Sequence, residues 1–543
     1  MLQKKWFLYL TEFFAGLSVM AVETGASRLL APYFSSSQIV WTIIIGTIMI
    51  AMALGNLWGG RTADKKPNPS WLYLRILIAA VWIALIPVVG KYIIAFVAMI
   101  MALIVSSNYL VWASFLACIL LFVFPLMLLA NTTPALVRYV MDTAEDAGRT
   151  VGRMNALNTI GSIIGTFLPT FVTIPAMGTS LTFICFAVVL LLLSLLYFLP
   201  FIIARASGWI KNLVRCAVCT VLVIAAGIVA PMTGFAFWEK DVYEDESIYN
   251  YLKVTEDDRE VSLSTNVMIG VQSVKMKKPG LTGSYYDYAM AAPYMSDSLR
   301  EGRSPRVLIL GLGSGTYATE CLCYLPGCTV EGVEIDQKIV DLAYDRFDMP
   351  REVVSHTEDG RAFLNLCRDK YDVIMVDAYK DVTIPFQMSS VEFFEKVKGC
   401  LSEGGVMVVN LNMQSDKEGA INQYLCETIA SVFDSVLSSN CYDGGNRVVF
   451  AAAHDRMESN LNTTLPDVKD AALRASLSVT RSKFEAVEKG DHILTDDKAP
   501  VEVLGMKVVD ELIFDQLNAY KEYYLKIFRE KGLRGLFEEL TGN

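Results

Sequence analysis

The sequence predicts an all-α polytopic membrane domain followed by an α/β domain that opens on a small β-unit. Long apolar runs recur through the first 236 residues, each near the ~20 residues that a membrane crossing needs. The charge balance then reverses: residues 1–236 hold 14 Lys+Arg against 6 Asp+Glu, and residues 237–543 hold 33 against 51. From Pro305 onward, β-branched apolar runs alternate with helical stretches, the pattern of a mainly parallel sheet. The expected domains are 1–236, a β-unit at 237–290, and 291–543 with a helical tail at its C-terminal end.

In the first region, crossings are expected at 6–30, 38–60, 71–90, 109–131, 154–175, 179–203 and 212–236, about seven in all. Residues 92–107 are apolar but short, and read as an eighth crossing or as a helix lying at the interface. Lys and Arg beside short connections set orientation. Lys4, Lys5, the stretch "GGRTADKKPNP", Arg138, Arg149, Arg153, Arg205, Lys211 and Arg215 share the inner face, and the opposite loops hold only Lys91. Seven crossings then carry the acidic half outside the cell, and residues 92–107 lie at the interface. The first crossing holds Glu12, Glu23 and Arg28. The two glutamates are three helical turns apart and share a face. Ionisable groups there mark a functional polar interior or pairing between helices, and both readings stand.

The acidic second half excludes nucleic acid as a partner, since phosphates need a basic surface. Eleven cysteines without framework spacing predict no disulfide scaffold, and "CAVC" (Cys216 to Cys219) reads as packing rather than a metal or redox site. No cleavable signal peptide is expected, because the first apolar run is long and carries charges.

Tyr249 to Val274 alternates and is rich in β-branched residues, as an antiparallel β-unit would be. The strands that follow are "RVLILGLG", "TVEGVEID", "YDVIMVDAY" and "GGVMVVNLN", a Rossmann-like order. The first ends in Gly311-Leu312-Gly313-Ser314-Gly315. A strict dinucleotide motif wants glycine next, where Thr316 stands. The turn fits S-adenosylmethionine enzymes better, with the class I methyltransferase-like fold. Glu334 ends the next strand, where a carboxylate can accept both ribose hydroxyls. Asp359 follows the third strand, where the amino group of adenine would lie. Asp377 ends the fourth strand, placed to take a proton from an amine or to hold a cation. Asp381 is close by, and "GSYYDYAM" supplies Tyr285, Tyr286 and Asp287, aromatics and a carboxylate that suit a cation or simply pack a loop.

Residues 244–505 resemble the spermidine synthase family, the polyamine aminopropyltransferases. The resemblance runs through "ESIYNYLKV", "GVQS", "YYDYAMAAP", "GLGSGT", "VEID", "EDGRAFL" and "VDAYKD". "LTDDKAPVE" resembles a motif of membrane-fused relatives, and "ETGASRLLAPYF", "GNLWGGRTADKKP" and "NTIGSIIGTF" look like the half-transporter of fused major facilitator/spermidine synthase proteins. The resemblance implies a donor site of Gln272, Gly311, Gly313, Ser314, Gly315, Glu334, Asp336, Asp359 and Gly360. It also implies an acceptor site of Tyr285, Tyr286 and Asp287, with Asp377 as base and Asp381 beside it. The donor is decarboxylated S-adenosylmethionine or S-adenosylmethionine, the acceptor a small amine or polyamine, with no metal. The family also admits a homodimer.

Two departures bear on chemistry. The family's glycine motif carries an aspartate for the aminopropyl ammonium, where Ser314 stands, and the Asp-x-x-Asp spacing is loosened to Asp377-x-x-x-Asp381. A membrane-anchored transferase of aminopropyl or methyl groups is the first reading. A polyamine or nucleoside binding or transport protein with a non-catalytic second domain is the alternative. Because adenosyl-sulfonium donors are made in the cytosol, the first reading favours an inner location for the second half, against the charge pattern.

Overall fold

The computed structural model describes residues 5–65, 68–105, 108–141, 147–267, 270–378, 384–412, 417–441, 445–508, 526–527 and 529–532. The chain divides into two units, Met1–Tyr251 with Asn266–Met268, and Leu252–Thr265 with Ile269–Asn543.

In the first unit, six helical stretches among the described residues are long and apolar enough to cross a membrane. They are Lys5–Phe34, Gln38–Lys65, Pro69–Ala102, Tyr109–Val140, Ala147–Ile203 and Trp209–Met232. The fifth folds back on itself. Gly178 leaves the helical region at φ +79, and Thr182 Oγ1 lies 3.0 Å from Thr173 Oγ1, nine residues away. An unbroken helix would separate those residues by about 13 Å. Ala147–Ile203 is therefore two rods joined at Gly178.

Residues 92–104 form no separate helix; they continue the helix that precedes them, and residues 106–107 lie outside the described residues. The third helix runs unbroken from Pro69 to Ile104. Lys91 is correspondingly inside this helix and not in a loop. It is buried, and its Nζ donates to the carbonyls of Thr233 (2.6 Å) and Gly234 (3.0 Å). Carbonyl oxygens take the place of water around the ammonium, so the charge does not interrupt the apolar run.

Small residues bring the helices together. A Cβ on Gly161 would lie 2.1 Å from the Phe13 carbonyl oxygen, and one on Gly165 2.1 Å from that of Leu17. Gly55 and Gly59 meet the backbone of Met127 and Asn131 in the same way. Gly161 and Gly165 of "NTIGSIIGTF", and Gly55 and Gly59 of "GNLWGG", are thus helix-contact positions, each pair spaced four apart on one face. Glu12 is fully buried and accepts from Thr133 Oγ1 (2.6 Å) and Asn158 Nδ2 (2.9 Å), so it hydrogen-bonds neighbouring helices. A short strand, β1 (Tyr243–Glu246), follows the last helix, and its Glu246 carboxylate accepts from the Thr179 backbone N–H (2.7 Å).

The second unit begins at Leu252, within β2 (Tyr251–Glu256), and continues with β3 (Glu260–Ser264) and β4 (Ser273–Met276), the three strands paired antiparallel in sequence order. Eight strands then form the main sheet: β5 (Arg306–Leu310), β6 (Thr329–Glu334), β7 (Val354–Thr357), β8 (Tyr371–Val376), β9 (Leu401–Leu411), β10 (Ser435–Asn440), β11 (Arg447–Ala452) and β12 (Glu485–Ala486). Their order is β12-β10-β11-β9-β8-β5-β6-β7. The run β9-β8-β5-β6-β7 is parallel, and β11, β10 and β12 extend it antiparallel. β8 is buried along its whole length, and β5 over Val307–Leu310, as strands covered on both faces must be. The strand order reverses between β5 and β8, and ligands bind beyond the carboxyl ends of such a pair. The expected C-terminal helical tail lies mostly outside the described residues.

Candidate active site

The site is built where β5 and β8 end. Gly311 and Leu312 both donate their N–H to the Val333 carbonyl (2.9 and 3.1 Å), which bends the chain out of β5. Gly311 has φ +90, and a Cβ there would lie 2.4 Å from the Asp377 carbonyl oxygen. The glycine therefore serves the approach of two backbones as much as that of a ligand. β4 is latched to the same turn: Ser273 Oγ accepts from the Ser314 N–H (3.0 Å), and Thr316 Oγ1 donates to the Val274 carbonyl (2.7 Å).

Asp377 is held from both sides. Tyr285 donates its hydroxyl to Asp377 Oδ2 at 2.6 Å, and Asn410, from β9, donates Nδ2 to Oδ1 at 3.0 Å. Burial pushes the Asp377 carboxyl up to about 7; the bonds from Tyr285 and Asn410 pull the other way, and the nearby Glu334 charge adds to the rise. Burial and the Asp377 charge keep Tyr285 protonated, so it remains a donor. Its ring lies 4.1 Å from that of Tyr286, whose hydroxyl donates to the Gln272 carbonyl (2.9 Å).

Glu334 is the second buried carboxylate of the site. One oxygen accepts from the Gly313 N–H (3.0 Å), the other from the Asp336 N–H (3.1 Å). Burial pushes it to about 7, against the pull of the Gly313 N–H. Each oxygen keeps lone-pair capacity for a further donor.

Tyr285, Tyr286, Gln272, Gly311, Gly313, Ser314, Glu334 and Asp377 are thus linked by these contacts. Other expected residues are engaged elsewhere. Asp287 is tied to its own loop: its oxygens accept from Thr282 N–H (2.9 Å), Thr282 Oγ1 (2.7 Å) and Gly283 N–H (2.8 Å), closing the loop ahead of its own helix. Asp336 and Asp359 are helix caps, accepting from the N–H of Lys338 (3.1 Å) and Ala362 (2.8 Å). Gly315 packs on Met349, and Gly360 starts the helix that Asp359 caps. Asp381 lies outside the described residues. Ser314 is buried, and its Oγ has no hydrogen-bond partner among the described residues. No group of three or more His, Cys, Asp or Glu able to hold a metal occurs among them either.

Two contributors were not singled out from the sequence. Asn410 ends the apolar run of β9, beside the end of β8, and a polar residue there is the signal that could have found it. Glu320 is buried beside Asp287, and burial and that neighbouring charge push its carboxyl well above the usual range.

Residues 285–442 match the family described as "Spermine/spermidine synthase domain". A Bifidobacterium longum protein named "Probable polyamine aminopropyl transferase" is 47% identical over 341 residues, which cover 60% of this chain and 74% of that protein. The chain belongs to the polyamine aminopropyltransferase family. A Vibrio vulnificus polyamine aminopropyltransferase is 28% identical over 221 residues, 39% of this chain and 71% of its own. Among solved structures, spermidine synthase from Thermotoga maritima aligns over 45% of this chain and 84% of its own, with 17% identity and a TM-score of 0.38.

Proposed function

We propose that the chain is an aminopropyltransferase whose first unit anchors it in a bilayer. The observation that carries the chemistry is Asp377, a buried carboxyl near neutrality held between Tyr285 and Asn410 at the end of β8. A general base is most effective when its pKa lies near the working pH. In the proposed reaction an amine nitrogen attacks the aminopropyl carbon attached to the sulfonium of decarboxylated S-adenosylmethionine. The new C–N bond forms as the C–S bond breaks. The electron pair stays on sulfur, which leaves as methylthioadenosine, and the amine proton passes to Asp377. Glu334 would accept the ribose hydroxyls, and the Tyr285–Tyr286 pair would face the acceptor. Alignment with a base suffices for such a displacement.

Ser314 favours a second reading. A neutral hydroxyl cannot pair with the donor's ammonium as a carboxylate would. Methyl transfer, or binding without catalysis, would tolerate it. The full chain, purified in detergent, should be given decarboxylated or ordinary S-adenosylmethionine with a panel of diamines, and products read by mass spectrometry. Aminopropylated product is expected. Methylated product alone would move the assignment to methyl transfer, and ligand binding without product would move it to a binding protein.

A further inference from the structure

The first unit holds a cavity of about 170 Å³ that none of this chemistry uses. It lies among the end of helix Gln38–Lys65, the start of Pro69–Ile104, and the helix Thr132–Val140. Its polar lining is Arg75, Lys65, Thr62 and Tyr139, with no carboxylate. The nearby Asp64 is turned to Arg138, 3.9 Å away.

Arg75 is set for an anion. Its Nη1 donates to Thr62 Oγ1 (3.0 Å) and Asn131 Oδ1 (2.5 Å), and its guanidinium stacks 4.2 Å over the Trp58 ring. Both acceptors are neutral, and Arg75 has no carboxylate partner among the described residues. The N–H groups of Nε and Nη2 have no protein acceptor there either. A guanidinium pinned by one nitrogen, with the rest of its fork unfilled, is pre-organised to bind two oxygens of one phosphate.

The walls say which phosphate. Trp58 and Trp71 line the cavity while 38% and 46% exposed, and Leu72, Ala63 and Ala135 complete an apolar side. Tryptophan and long basic side chains gather at the membrane–water boundary. A free phosphate would leave the apolar wall wet, whereas a phospholipid would cover it with glycerol and acyl carbons. We propose that this cavity binds the phosphate headgroup of an anionic phospholipid. The inference rests on the reading that the first unit lies in a bilayer.

The experiment has two steps. Membranes carrying the full chain are first washed at alkaline pH. Release of the chain would sink both the bilayer reading and this site. If it stays, the chain is purified, delipidated, and titrated with phosphatidylglycerol, phosphatidylcholine or inorganic phosphate, with bound lipid read by native mass spectrometry and melting by fluorescence. Phosphatidylglycerol should bind at least tenfold more tightly than phosphatidylcholine, and Arg75→Gln and Lys65→Gln should each remove about tenfold of that preference, as expected for one lost charge-assisted bond. Because Arg75 also holds Thr62 and Asn131, Lys65→Gln and Trp71→Ala at the exposed rim give the same readout without touching that bond pair. Equal binding of both lipids, or a preference unmoved by every variant, overturns the site while leaving the membrane reading intact. Competition by millimolar inorganic phosphate overturns the lipid assignment in favour of a free anion.

Discussion

Asp377 takes its raised proton affinity from what surrounds it. Its carboxyl, lifted to about 7 by burial, should appear in the rate: kcat/KM should rise with pH through about 7, as the base loses its proton. Asp377→Asn keeps the shape and cannot take a proton, so turnover should fall by ~10²–10⁴ with donor affinity little changed; turnover near wild type would remove it from the mechanism. The same burial has a stability consequence. A folded value above the ordinary carboxylate range favours the protonated form in the fold, so stability is full below that range and is lost as pH rises through about 7. The Asn variant escapes this loss, so its melting temperature should gain on wild type between pH 5 and pH 8. A constant gap would mean that Asp377 is not strained when charged. Asn410 acts through Asp377, and its donated bond lowers the carboxyl's value. Asn410→Ala should therefore move the kinetic pKa upward and cost more rate at pH 7 than at pH 9; an unshifted profile would leave Asn410 a packing residue. Sequence alone marked Asp377 because it follows the buried run of β8, and Tyr285 because "GSYYDYAM" gathers aromatics beside a carboxylate. It could not separate a ligand carboxylate from a cap at Asp336 and Asp359, since strand-to-helix junctions select the same residue types for both. The sequence read Asp287 as a cation holder or a loop-packing residue; the bonds from Thr282 and Gly283 give it a structural part in its own loop.

At the level of elements, the turn after β5 is where sequence and geometry bind most tightly. Gly311 at φ +90 sits against the backbone of Asp377, so the glycine turn after β5 and the end of β8 constrain each other. Gly311→Ala should cost ~1–3 kcal/mol in backbone strain and displace Asp377, lowering both melting temperature and turnover. Gly360→Ala is the matched control: its added Cβ would meet nothing closer than Met388 Cε at 3.4 Å, and it should be near neutral. Equal losses in the two variants would deny Gly311 its special place. A second tie joins two motifs far apart in sequence. Arg361 of "EDGRAFL" donates to both oxygens of Asp496 in "LTDDKAPVE", at 2.7 and 2.5 Å, and Ser390 Oγ donates to Asp496 as well. The second motif is thus a clasp on the helix that follows β7. The central parallel strands β5, β8 and β9 were legible because each carries a run of buried apolar residues. The antiparallel extension, with segments such as "SVLSSN", carries weaker alternation and depends on pairing to β9 and β11 for its identity. Lys91 misled the reading of residues 92–107, since a charge inside an apolar run signals a loop unless carbonyls are waiting for it.

For the whole molecule, the proposed bilayer anchor raises the question of which side carries the residues after 236. Moving Lys91 out of the loops sharpens the charge pattern. The connections 35–37 and 105–108 hold no Lys or Arg, whereas Lys65 and Lys66, then Arg138 with Arg149 and Arg153, then Arg205 with Lys211 and Arg215, flank the alternate ones. With the fold-back at Gly178 the apolar stretches among the described residues supply seven rods, an odd number; if all seven cross and Lys4 and Lys5 hold the N-terminus inside, the second unit would lie outside. Large domains are translocated regardless of their charge, so the acidic balance of the second half does not oppose this. Donor supply does, because S-adenosyl donors arise in the cytosol. The two are separated by single cysteines placed at the exposed positions Arg61 and Asp455, in a background without the native cysteines, and labelled with an impermeant thiol reagent on intact cells. Arg61→Cys should stay protected and Asp455→Cys should react. Protection of both until the membrane is broken would leave one rod short of a crossing, return the second unit to the side where its donor is made, and remove the only tension between the topology and the proposed aminopropyl transfer.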